Sequence, residues 1–138
     1  MSLPDRRPRE ILCEGPEGAQ FAFYAVLFDD KLVLNILIDG VMDTSFDLPL
    51  STSKVIDSQV LASDESLGIE PVVLVGDPHN LKLQVVAGQI GKVVYSMGNR
   101  KNVILTMGSR WFGKDPKDGD FDKLMFVLGK IKELLLKA

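Results

Sequence analysis

AQFAFYAVLFDDKLVLNILIDGVMDTSFDL, residues 19–48, is the stretch whose reading decides the fold. Strand formers dominate 19–28 and 32–38, and Asp29-Asp30 leaves between them only the length of a tight hairpin. Asp39-Gly40 comes next and is the strongest hairpin signal in the chain, because both central positions of a type I′ turn need positive φ. It predicts a fourth strand over 41–48. Within 32–38, Leu32, Leu34, Ile36 and Ile38 point one way while Val33 and Leu37 point the other, so the sheet is apolar on both faces.

Working outward towards the N-terminus, 11–13 reads as another strand, broken from the next by Gly15, Pro16 and Gly18. Residues 1–9, rich in Pro and Arg, offer little to bury and read as a loose arm, leaving 10–138 as one domain. Towards the C-terminus, 51–71 is diluted in apolar residues and reads as a long loop with room for an edge strand. Residues 72–75 form a short buried strand, and Asp77-Pro78 looks like an N-cap followed by Pro at the first helical position.

Leu81, Val86, Ile90, Val93, Val94 and Met97 recur at helical spacing, and Gly98-Asn99 supplies the stop. Residues 102–107 return as a strand, 108–119 as a loop, and Asp120 caps a last helix with Phe121, Leu124, Leu128, Ile131 and Leu135 on one stripe. The class is α+β, a mostly antiparallel sheet of five or six strands with two main helices. Two helices cover one sheet face, so the other, carrying Val33 and Leu37, calls for a partner subunit, and the chain is expected to dimerise.

Composition narrows the function. The 138 residues are 46% hydrophobic and 25% charged, a globular balance, and the net charge of -3 provides no broad field for nucleic acid or anionic membrane, so neither is expected as a partner. A single cysteine points to a reducing compartment. With no apolar run near the length of a signal or a membrane span, the cytoplasm is the expected location; Arg6, Arg7 and Arg9 read first as a solvated basic tail and second as a weak nuclear address.

Catalytic chemistry finds few carriers. His79 is the sole histidine, at a helix start, and Cys13 lies mid-strand with no second histidine to activate it. Gly88 and Gly91 fall inside a helix, where their N–H groups are used by the ladder, so close packing explains them better than phosphate binding. Gly113-Lys114 is followed by Asp115 where a phosphate loop carries Ser or Thr. Asp115, Asp118, Asp120 and Asp122 fail the calcium-loop register, since placing Gly119 at its sixth position puts Lys114 first and Pro116 third. No catalytic residue, metal or cofactor is expected. Arg110-Trp111-Phe112, with Lys114 just beyond, has instead the composition of a protein-binding anchor, and equally that of loop aromatics folded back on their own core.

The run Val73-Leu74-Val75-Gly76, a long helix, Gly98-Asn99-Arg100 leading into Val103-Ile104-Leu105, and an amphipathic closing helix resemble the proteasome assembly chaperone 3 family. The strand over 31–37, the turn at Gly40 and a strand ending near Leu48-Pro49 agree in order, so the likeness spans about residues 21–136, with loops 51–71 and 108–119 longer than the family pattern. The resemblance implies an ATP-independent chaperone that pairs with a related assembly chaperone 4-like subunit, or with itself, and helps proteasome α-type subunits assemble into the α ring. Two other classes fit the same elements: a trafficking adaptor of the longin or roadblock type, and a small ligand-binding domain.

Overall fold

A computed structural model describes residues 8–50 and 69–136. Its elements follow the chain as β1 (Arg9–Glu14), a 3-10 turn (Pro16–Gly18), β2 (Gln20–Leu27), β3 (Lys31–Ile38), β4 (Thr44–Leu48), β5 (Val72–Val75), α1 (Leu81–Ser96), β6 (Asn102–Met107) and α2 (Asp120–Leu136). One six-stranded sheet results, in the order β1-β2-β3-β6-β4-β5, antiparallel except where β6 lies parallel to β3. The expected loop over 51–71 lies mostly outside the described residues, as does all of the arm but its last two residues; Arg9 already belongs to β1, where its guanidinium donates to the Leu135 carbonyl at 2.9 Å.

The alternation read in β3 places the core. Leu32, Leu34, Ile36 and Ile38 are buried, each aligned across the sheet with other buried residues, as Ile36 is with Phe23 and Met107. α1 packs over β4, α2 over β1 and β2, and both contribute to the same cluster through Leu83, Ile90, Val94, Val127, Ile131 and Leu134. Both helices therefore sit on one face.

The Asp39-Gly40 turn forms with φ of 52° and 77°, yet the hairpin it announces stops after one rung, Ile38 against Val41. β4 starts only at Thr44 and pairs with β6 and β5, because β6 returns through α1 and takes the place beside β3. A parallel neighbour requires such a crossover, and the helix provides it.

Three other expectations are corrected. β5 is an edge strand, not a buried one: Val72, Leu74 and Val75 are all exposed, and only Val73 packs inward. The N-cap of α1 is Asn80, whose side chain accepts from the Leu83 N–H at 3.1 Å; Asp77 instead accepts from the His79 N–H in a turn just before it. With the start moved, Leu81 faces solvent and Leu83 and Ala87 enter the core. On α2 the buried stripe runs through Val127, Leu128, Ile131 and Leu134, leaving Phe121 exposed, since the helix meets the sheet turned slightly from the predicted stripe, with which it shares Leu128 and Ile131.

The end of α1 is as read. Gly98, at φ 99°, donates to the Tyr95 carbonyl and Asn99 to that of Val94, which closes the helix with a left-handed glycine. Gly91 is closely packed, since a Cβ there would lie 3.0 Å from the Ile69 side chain, which would have to give way.

Candidate interaction surface

Two surfaces stand out, one on the uncovered sheet face and one at the loop between β6 and α2. On the sheet, cross-strand register aligns Leu12, Ala22 and Leu37 in one row and Val26, Val33 and Ile104 in another. Between them runs a polar row of Tyr24, Asn35, Thr106 and Ser45, the last two hydroxyls 3.0 Å apart. Leu12 is 64% exposed, Val33 and Leu37 are half-buried, and a shallow hollow of about 410 Å³ opens over Leu12, Ala22 and Leu37. No described helix lies on this face. The two residues singled out from sequence, Val33 and Leu37, thus occupy the two apolar rows that flank a polar one on an open surface.

The loop divides its candidates. Phe112 is 1% exposed and belongs to the core. Trp111 is half-buried, edge-on to Phe21 and Phe112, while Arg110 and Lys114 face solvent. The triplet is therefore split between interior and surface and does not project as a unit.

What holds this loop went unread in the sequence. Asp43, just before β4, accepts from the Ser109 N–H at 2.9 Å and from its hydroxyl at 3.0 Å. Lys123 Nζ donates to the Trp111 carbonyl at 2.8 Å and stands 4.8 Å from the indole centroid. Lys82 Nζ donates to the Phe112 carbonyl and to that of Asp115 at 3.0 Å, and forms an ion pair with Asp120 Oδ1 at 2.8 Å. The Lys82 ammonium beside it, and then the Lys117 N–H, hold the Asp120 carboxyl below its ordinary range. Asp120, read as a helix cap and weighed as a calcium ligand, is the counterion of a lysine. Lys114 meets Asp77 at 2.6 Å, which lowers the Asp77 carboxyl and raises the Lys114 ammonium.

Beside the clamp, an apolar groove of about 550 Å³ runs between the first turns of the helices, lined by Leu81, Val85, Pro116, Phe121 and Leu124. Phe121, placed in the core from sequence, is 60% exposed there. The titratable residues weighed for chemistry are dispersed. Burial pushes the Cys13 thiol up, with Lys130 opposing and Glu133 adding to the rise, whereas His79 is exposed in the turn before α1. Among the described residues no three His, Cys, Asp or Glu gather as a metal site, and no helix is long and apolar enough to cross a membrane.

A family model described as "20S proteasome chaperone assembly proteins 3 and 4" matches residues 7–132. Among solved structures, a chain of the "Crystal Structure of a Novel Chaperone Complex for Yeast 20S Proteasome Assembly" is similar in fold, with a TM-score of 0.76 and 24% identity, over 94% of this chain and 98% of that one. No curated protein matches in sequence.

Proposed function

The chain belongs to the family of 20S proteasome chaperone assembly proteins 3 and 4, and from that premise we propose how it acts. It is a non-catalytic, ATP-independent chaperone that dimerises, with a related chaperone 4-like subunit or with itself, and binds α-type subunits during α-ring assembly in the cytoplasm and nucleus. The observation that carries the pairing is the open sheet face. Apolar rows left open to water on a sheet face cost free energy that a covering partner recovers, and the described helices cover only the other face. The loop bearing Arg110 and Lys114 is the proposed contact for the α-type subunit, since a charged loop on a rigid scaffold suits transient recognition.

Co-expression of the tagged chain with its related chaperone subunit and with each α-type subunit tests the reading. The expected result is a chaperone dimer by light scattering that retains at least one α-type subunit through size exclusion, in buffer without nucleotide. A chain that stays monomeric beside the related subunit would remove the pairing. Failure to retain any α-type subunit would remove the client.

A further inference from the structure

A lysine ammonium taken out of water is costly unless its donors are met, and it has three. The Lys82 and Lys123 side chains are each only 12% exposed. Lys82 donates to the Phe112 and Asp115 carbonyls and pairs its charge with the Asp120 carboxylate 2.8 Å away. Lys123 takes the Trp111 carbonyl, with Glu17 3.5 Å away. A lysine serving only solubility would extend its head into solvent. Here the first turns of two helices each commit a largely buried cation to one loop, on adjacent carbonyls.

The consequence falls on the two residues that face outward. Arg110 precedes the carbonyl held by Lys123, and Lys114, exposed but paired with Asp77 at 2.6 Å, precedes the Asp115 carbonyl held by Lys82. Asp43 fixes the start of the loop at Ser109, and a Gly113 N–H to Ser109 carbonyl bond of 3.1 Å closes the turn between. We propose that Lys82 and Lys123 are positioning residues for client capture: by gripping the loop backbone they set Arg110 and Lys114 in place before a partner arrives. This deepens the proposed function and rests on its reading of the loop as the client contact. Ordering the loop in advance removes that entropy from the binding step, so affinity gains without any contact by the lysines themselves.

A double-mutant cycle separates the two ideas. The probe is whichever α-type subunit is retained by the wild-type chaperone, titrated against wild type, Arg110→Ala, Lys82→Met and the double variant. Arg110→Ala is expected to weaken binding about tenfold in the wild-type background, as truncating a contact arginine does. In Lys82→Met, itself weakened about tenfold by loss of the ordered loop, the added Arg110→Ala is expected to change affinity less than twofold. Amide exchange should quicken across 108–119 in Lys82→Met and stay slow in β2, β3 and β6. Should Lys82→Met not fold, Lys123→Met and Asp120→Asn run the same cycle.

No effect of Arg110→Ala in the wild type ends the client reading of the loop and the positioning role with it. A full tenfold effect of Arg110→Ala in the lysine variant, or unchanged exchange in the loop, overturns positioning while the client reading stands.

Discussion

The indole of Trp111 stands edge-on to the ring of Phe21, their centroids 4.9 Å apart and their planes at 83°. Phe126 meets Phe21 at 5.0 Å from α2, so one β2 ring joins the loop to the helix that follows it. The Trp111 Nε1 is buried without a hydrogen-bond acceptor, so its ring contributes by packing. Trp111→Ala is expected to cost about 3 kcal/mol of stability in a urea melt, as large-to-small changes in packed aromatic sites do. Trp111→Phe should cost under about 1.5 kcal/mol, because it keeps a ring in place and removes the unmet donor. Equal losses for the two would show that the indole as a whole, not ring packing, is what matters.

Leu37 lies beside Ala22 on the open sheet face. A charge there is tolerable in an isolated chain, where the residue is half-buried, and costly in a covered interface, where it has no counterion. Leu37→Lys should therefore abolish dimerisation in light scattering while far-UV circular dichroism stays unchanged. A dimer that survives the lysine would place the contact elsewhere.

Asp120 gives a dependence on pH. Its carboxyl is held below the ordinary value, first by Lys82 and then by the Lys117 N–H, so the folded state releases the proton more readily than the unfolded one. The resulting stabilisation is fully present above the unfolded value of about 3.9 and is lost as pH falls through the folded one. Asp120→Asn should melt below wild type by a constant margin from about pH 5 upward, and the margin should close under about pH 4. A margin that persists in acid would mean that the carboxylate charge is not what Lys82 requires.

Two helix glycines should respond in opposite directions. At Gly129, in the exposed part of α2, a Cβ meets nothing within 4 Å, so Gly129→Ala should stabilise by up to about 1 kcal/mol through helix propensity. At Gly91 the same substitution must displace Ile69, only 3.0 Å away, and Leu48 lies beyond it at 3.7 Å. Gly91→Ala should lower the melting temperature, and a rise would show that Ile69 yields freely.

Asn80 caps α1 while 6% exposed, its side chain on the Leu83 N–H. Asn80→Ala should cost about 1 kcal/mol or more, since the orphaned N–H has no water to turn to. Asp77→Ala, read from sequence as the cap, should cost less than Asn80→Ala in the same melts.

What the amino-acid sequence determined by itself is whatever near neighbours decide. The two faces of β3 follow from side chains alternating along a strand, the turn at Asp39-Gly40 from the φ values those residues tolerate, and the end of α1 from Gly98. From these come the fold class and the open face with Val33 and Leu37. Only the tertiary structure decided the rest. The position of β6 between β3 and β4 depends on where the chain returns after α1, and no local pattern specifies that order. The faces of α1 and α2 turned slightly from their predicted stripes because helix rotation is set by what the sheet offers, as exposed Phe121 and Leu81 record. Phe112, in the loop between β6 and α2, went inward where its composition alone does not decide between core and surface. Lys82 and Lys123 carry no local signal of their role, since their partners lie on a loop that reaches them only once β6 has been threaded into the sheet; Asp120, 38 positions from Lys82, became its counterion by that folding alone.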